Sequence, residues 1–446
     1  MEDTLRALVK GAVLTPGHER YDTERQAWNR TIDPRPAAVV EAEGPGDIRA
    51  AIAVAREHGV PFAVQSTGHG TLVPADGGIV LKTSRMAEVR VDPERRTARA
   101  GAGAVWSDVI AAAAPYGLAP VSGTPAIGVA GYTLGGGTGW LSRRYGYAAD
   151  NLLGAEVVTA GGRRLTVSAE EHPDLFWALR GGGGNVAVVT SLEFALHPVT
   201  DVYAGMTLFP AERAADMLAR YREWAPDEPD ESNTSIILMR MPDTGGWALA
   251  VRAFYTGGAE AAERCLAPLV DAAGPALAGG FAAMSFAEAA TAFGGPPPPP
   301  MAVRQHLDLL REVPDDAIEA IVKGAEQPVS AIELRHWGGA MARPAEGAGP
   351  VGHRDVPFSV ITTAVLDGSR DAAEVDERMR EVTGWLGPHV TGGSFLNFLT
   401  DPGRTAAAYT PADHARLAEV KRAWDPDNIL GRSHNIPPAA AARAAS

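Results

Sequence analysis

Phe62-Ala63-Val64-Gln65-Ser66-Thr67-Gly68-His69-Gly70 runs an apolar strand into a loop of small residues that pins one histidine between two glycines. Without a Cβ, glycine lets backbone N–H groups come close to an anionic ligand. A histidine held there offers an imidazole nitrogen to whatever those amides cradle. Most histidines in glycine loops are surface residues or local hydrogen-bonders, so the loop alone decides little. Its weight comes from three further glycine-rich segments that follow it in order.

Around this loop the hydrophobic pattern is that of an α+β chain. Residues 47–58 are expected to form a helix, with Ile48, Ile52 and Ala55 on one face, Asp47 at its start and Gly59 after its end. It leads into a strand over 60–64. Gly161-Gly162, between apolar runs at 156–160 and 165–167, is a hairpin signal. Beyond His197-Pro198, longer alternating strands and amphipathic helices are expected to about residue 394. Within that stretch, Gly294-Gly295 and the five prolines from Pro296 to Pro300 form a breaker cluster, expected as an exposed polyproline connector. Thr410-Pro411 opens a last helix whose buried face is Leu417, Val420 and Trp424, and Asp425-Pro426 stops it. No solenoid-type repeat is present.

Composition narrows the chemistry. The 446 residues suffice for two or three domains and a large core, and 46% hydrophobic with 21% charged is ordinary for a globular protein. No apolar run of about 18 residues suggests a membrane span, and Met1-Glu2-Asp3-Thr4 lacks a secretory pattern, so the cytoplasm is expected. A net charge of −14 argues against nucleic acid as partner. The single cysteine, Cys265, excludes an intrachain disulfide and a cysteine-based zinc site, and reads as a small buried apolar side chain. No metal site is expected. Lysine is limited to Lys10, Lys82, Lys323 and Lys421 among 40 Lys plus Arg, leaving few candidates for a lysine base or Schiff base.

The common nucleotide and hydrolase signatures are missing: no G-x-G-x-x-G follows a strand, and there is no G-x-x-x-x-G-K-[ST], G-x-S-x-G or H-E-x-x-H. Four glycine segments stand instead. They are residues 66–70; Ser122-Gly123-Thr124-Pro125-Ala126-Ile127-Gly128-Val129-Ala130-Gly131 with Gly135 to Gly139 beyond it; Tyr145-Gly146-Tyr147-Ala148-Ala149-Asp150-Asn151; and Asp174-Leu175-Phe176-Trp177-Ala178-Leu179-Arg180 running into Gly181 to Gly184 and Asn185. Any one run means no more than a tight turn. Four in order, each abutting a β-rich segment, point to an extended anionic ligand threaded between two subdomains.

These motifs, with Asp33-Pro34-Arg35-Pro36 before the first helix and Lys421-Arg422-Ala423-Trp424-Asp425-Pro426-Asp427-Asn428 and Asn435-Ile436-Pro437-Pro438 near the end, resemble the vanillyl-alcohol-oxidase / p-cresol-methylhydroxylase flavoproteins, and best their berberine-bridge-like branch. The resemblance covers roughly 25–200 and 395–438. It implies a two-part FAD-binding domain (1–200 and 395–438) and a substrate domain (201–394) with an antiparallel sheet backed by helices, leaving 439–446 as a frayed tail. It implies FAD bonded to His69, with Gln65, Ser66, Thr67, Gly68, Gly70, Gly123, Thr124, Gly128, Gly131, Val189 and Asn435 around it. Such a bond would raise the flavin's reduction potential. Thr124 stands where many relatives have a second, cysteinyl attachment, so linkage through His69 alone is expected.

Three departures from the family pattern matter. Gln65 replaces an arginine, Val186-Ala187 follows Asn185 in place of Phe-Gly, and Phe395-Leu396-Asn397-Phe398 replaces Tyr-x-Asn-Tyr. A phenylalanine accepts no proton, so the base lies elsewhere, is the substrate's own group, or is unnecessary. His336 and Tyr409 are the substitutes considered, with Arg354 and His353 as further pocket candidates. Imidazole is the side chain suited to acid-base work near neutral pH, so His336 is weighed evenly as a base and as a structural histidine. Arg335 and Trp337 share the other strand face, and with Phe395 and Asn397 they are expected to line the substrate pocket. The implied activity is FAD-dependent oxidation of a small organic molecule, a bacterial secondary metabolite, with hydride passing to flavin N5 and O2 as the electron acceptor. The two phenylalanines suggest an apolar substrate rather than a sugar. The rival expectation is a FAD-containing cyclase or isomerase without net redox change.

Overall fold

The computed structural model describes residues 1–241, 244–292 and 299–440. Gly294-Gly295 and residues 296–298 of the breaker cluster lie outside the described residues, as do residues 441–446 of the expected tail.

The fold is α+β and built on three main sheets. The first has four strands in the order Val13–Leu14, Ala38–Glu41, Ile79–Lys82, Phe62–Gln65, and its last three strands are parallel. Parallel strands need a crossover between them, and the helix Pro45–His58 supplies it. The helix begins earlier than expected because Pro45 takes the first turn, where its missing N–H costs nothing. Asp47 lies inside the first turn, where its carboxylate accepts the N–H groups of Lys10 (2.8 Å) and Glu43 (2.9 Å). Gly59 ends the helix with φ of 61°, as its position in the sequence suggests. The strand starts at Phe62 rather than 60, since Pro61 has no N–H to pair. The His69 loop leaves its C-terminal end.

A second, antiparallel sheet has the order Val89–Asp92, Thr97–Gly101, Ala187–Ala195, Leu152–Thr159, Arg164–Ser168. The expected hairpin is present, and Gly162 takes φ of 80° in its turn.

The third sheet has seven antiparallel strands in the order Ala278–Ser285, Asp201–Pro210, Trp247–Tyr255, Ser232–Arg240, Ala331–His336, Phe358–Val365, Val303–Leu310. Alternation gives it two unlike faces. Ile236, Leu238, Leu249, Val251, Ile332, Leu334 and Val360 point to one side. There they pack on the helices Ala214–Trp224, Ala259–Ala273, Asp315–Ala325 and Ala372–Leu386. Each such fully buried side chain contributes about 1.5–3 kcal/mol. The opposite face looks toward the glycine loops.

The C-terminal segment returns to the first half of the chain. Thr410 caps the helix Pro411–Trp424 by accepting the Asp413 N–H, and Leu417 and Val420 are buried as expected. Trp424 is only half-buried, because its indole N–H donates to Asp174 (3.0 Å) at the surface. Lys421 and Asp425 are fully buried and joined at 2.5 Å, and Lys421 also donates to the Asn185 carbonyl (2.8 Å). Asn185 closes the seam. Its amide donates to the carbonyls of Gly182 (2.8 Å) and His434 (2.9 Å), and its oxygen accepts the Ile436 N–H (2.9 Å).

Candidate active site

One cavity of about 640 Å³ runs between these parts, within the range of small-molecule and cofactor sites. Its walls are the His69 loop, the segment 122–140, Gly183 and Gly184, residues 396–398 and 430–434, and the inner face of the seven-stranded sheet.

The His69 loop is shaped by its glycines. Gly68 has φ of 82°, and a Cβ there would lie 2.4 Å from the Gln65 amide nitrogen and 3.0 Å from the Trp28 backbone nitrogen. The Gly68 carbonyl accepts the Trp28 N–H (3.1 Å), and the Trp28 ring stacks on the His69 imidazole at 4.8 Å and 20°. His69 Nδ1 lies 2.9 Å from the Thr67 hydroxyl. Burial lowers the imidazole pKa to about 4, so the ring is neutral at physiological pH. Gly128 brings the second glycine segment against this loop, since a Cβ on it would lie 3.1 Å from Ser66 Oγ. A Cβ on Gly70, Gly131 or Gly184 would point into open space, so these backbones are open to a ligand.

The sheet wall is polar. Asn233, Arg252, Gln305, Glu333, Arg335 and Thr363 line it beside Ile237 and Ile361. Glu333 Oε1 receives the Arg252 guanidinium, and Arg335 through Nε (3.1 Å) and Nη2 (3.0 Å). Burial opposes ionisation of Glu333, but the two guanidiniums outweigh it and hold its pKa down to about 2.

Residues 36–168 match the family model for the FAD binding domain, and residues 394–437 the one described as berberine and berberine like. (R)-6-hydroxynicotine oxidase of Paenarthrobacter nicotinovorans is 29% identical over 466 residues, spanning 96% of this chain and 97% of its own. The solved 6-hydroxy-D-nicotine oxidase from Arthrobacter nicotinovorans superposes with a TM-score of 0.86 at 28% identity, over 97% of this chain and 98% of that one. The chain therefore carries a FAD binding domain and a berberine-like C-terminal segment, and is an FAD-linked oxidoreductase by its relatives. Berberine bridge enzyme from Eschscholzia californica has the same fold, with a TM-score of 0.88 over 99% of both chains at 20% identity.

The cavity of this oxidoreductase fits FAD on its own chemistry. Ser66 Oγ, Ser122 Oγ and the Tyr132 hydroxyl are buried on lining residues without hydrogen-bond partners, as is the nearby Asn435 Oδ1. Buried polar atoms left unpaired cost about 1–3 kcal/mol each, and a dinucleotide with hydroxyls and phosphates would satisfy them. Gln65, Thr67, Gly123, Thr124, Gly128, Gly131 and Val189 line the same cavity. Gln65 itself is tied to the Gln26 carbonyl (2.9 Å). Cys265 lies on the helix Ala259–Ala273, outside the lining, half-buried with its thiol pushed up to about 11 by burial.

Among the other expected site residues, Asn397 and Arg335 line the cavity. Asn397 is fixed by the Gly137 N–H (2.9 Å) and the Tyr132 carbonyl (3.1 Å). His336 does not line it. Alternation puts it with Ile332 and Leu334 on the helix side, where Nδ1 lies 2.7 Å from Glu228 and 3.1 Å from Arg143. Tyr409 is buried, donates to the Gly181 carbonyl (3.1 Å), and has its phenol pKa raised by burial. His353 binds the Ala407 carbonyl, and Arg354 pairs with Asp150. Phe395 and Trp337 pack on each other and on Tyr147 behind the wall, and Phe398 takes the lining position instead. The alternation that selects Arg335 also selects Glu333, which the sequence reading passed over. Trp28, Arg252 and Gln305 carried no local signal.

Proposed function

We propose that this oxidoreductase holds FAD through a single bond from His69 and oxidises a small organic molecule, a secondary metabolite, seated against the sheet wall. Residues 1–200 and 395–438 would hold the cofactor, and 201–394 the substrate. The observation that carries this reading is the state of His69. Burial favours its neutral form, the Trp28 ring stacks on it, and Nδ1 is engaged with the Thr67 hydroxyl, so a neutral imidazole with a lone pair stands in the glycine loop. FAD held by these residues would supply a hydride acceptor, and O2 would be the electron acceptor in the oxidase reading.

The chain's own groups position and exclude. Asn397 is locked by the glycine segment and presents a fixed amide edge. Glu333, ionised down to about pH 2, is too weak a base to take a proton at neutral pH. With His336 and Tyr409 off the lining and Glu333 held ionised, the substrate's O–H or N–H proton is left to solvent, to a group of the substrate or to the lining imidazole of His434. The lining combines apolar groups (Ile237, Ile361, Trp140, Phe398) with the ions and amides of the sheet, which suits an organic substrate that carries a polar group as well as an apolar body.

Acid precipitation tests the linkage. The wild-type pellet should stay yellow and fluorescent, and the His69→Ala pellet should be colourless with any flavin in the supernatant. A colourless wild-type pellet refutes covalent attachment. O2 consumption with turnover separates the oxidase from a cyclase, which converts substrate without it.

A further inference from the structure

The polar wall carries more positive than negative charge, and the strand register explains how. Arg252 and Arg335 both pair with Ser235 on the strand between their own. They therefore share one cross-strand row, with backbones about 10 Å apart, twice the interstrand spacing. Both guanidiniums converge on a single carboxylate oxygen of Glu333. Glu333 is the one acid among the described residues lining the cavity. Two guanidiniums carry ten N–H donors between them, and one oxygen cannot occupy them. Arg252 Nε is buried without a partner, its guanidinium lies over the Trp140 ring at 4.9 Å, and Arg335 lies over Phe398 at 5.9 Å. Burial lowers the Arg252 pKa, with Glu333 opposing and the neighbouring Arg335 adding to it.

We propose that the substrate of this flavoenzyme carries a carboxylate, received by Arg335 and Arg252, with Glu333 holding the two guanidiniums in place. This rests on the function proposed above. On the sheet wall two guanidiniums against one carboxylate leave a surplus of one positive charge, with Arg432 apart on the 430–434 wall; a carboxylate matches that surplus, whereas a phosphate monoester brings −1.5 to −2. Planar guanidinium edges also match a carboxylate in two-point contact. Arg252 and Arg335 are positioning and specificity residues in this scheme.

The test uses the purified holoprotein with benzoate as probe and benzamide as its neutral isostere. Binding is read by the flavin difference spectrum and, in parallel, by quenching of tryptophan fluorescence, since Trp140 lines the cavity beside Arg252. Benzoate should bind at least about tenfold tighter than benzamide. Arg335→Gln should weaken benzoate about 10–100-fold, the range for a lost charge-assisted hydrogen bond, while Arg335→Lys restores part of it. Glu333→Gln should tighten benzoate, an effect that a structural role does not produce. Equal binding of the two probes, no binding of benzoate, or an Arg335→Gln variant that keeps wild-type affinity overturns the proposal. So does loss of flavin from Arg335→Gln, which would assign the guanidinium to the cofactor. A wild-type protein that takes up no flavin fails the proposed function instead, and the tryptophan signal still reports on the carboxylate.

Discussion

Replacing Asp425 by Asn isolates the ion pair that ties the last helix to the fourth glycine segment. Asp425 is fully buried and accepts Lys421 Nζ (2.5 Å) and the N–H groups of Ile429 (2.9 Å) and Leu430 (2.8 Å). The amide keeps one acceptor oxygen but turns an NH2 group toward the Lys421 ammonium or toward one of those N–H groups. Breaking a buried pair while leaving its partner charged costs about 3–5 kcal/mol, and that is the loss expected at pH 7. The loss depends on pH with a definite sign. Burial already lowers the Lys421 pKa, with Asp425 opposing, and removing the carboxylate lowers it further. The unfolded chain then binds more protons than the folded one up to the ordinary lysine pKa, so stability rises with pH across that window. Urea unfolding followed by tryptophan fluorescence at pH 7 and pH 9.5 should show the deficit shrinking at the higher pH. Adding Lys421→Met removes the stranded ammonium and should return much of the loss. A deficit below about 1 kcal/mol, or one that does not shrink with pH, would refute the reasoning.

Two further outcomes follow from the site. Gly68→Ala places a methyl 2.4 Å from the Gln65 side chain at φ of 82°, a strain of about 1–2 kcal/mol, and should displace Trp28 and cut the covalent flavin fraction in the acid pellet. His69 and His197, which is stacked on Tyr145, are both lowered to about 4 by burial. Each takes up a proton on unfolding between about pH 4 and 6.5, so flavin-free protein should lose thermal stability as pH falls through that window and hold it above. A flat melting profile between pH 7 and pH 4.5 would contradict the buried neutral state.

Local signals carried much of the architecture. Glycine at the end of the helix Pro45–His58, the two-glycine hairpin and Thr410-Pro411 each determine a backbone event within a few residues, and each is read without tertiary knowledge. The site was legible where it is local, as in the His69 loop and Gly123 to Gly131. It was illegible where it is assembled across strands. Whether His336 or Arg335 faces the cavity depends on which sheet face receives the helices, a choice that period-two alternation leaves open. Arg252 stands far from Glu333 in sequence, and only the register through Ser235 brings them together. Phe395 was expected in the lining because it stands where the family pattern has its first tyrosine, but the short helix Leu396–Phe398 turns it back against Trp337.

The seam at Asn185 has a consequence in time. The two partners in its bond to Ile436 are 251 residues apart. At ordinary synthesis rates of about 5–20 residues per second, the fourth glycine segment leaves the ribosome about 13–50 s before its closing strip. During that interval the nascent chain can form both smaller sheets, yet the wall containing residues 430–434 is still missing. Capture of a cofactor in the closed cavity therefore waits until residues 430–434 have emerged. The last wall of the site is thus also the last to be made, and the four glycine segments wait for it with their backbones already in place.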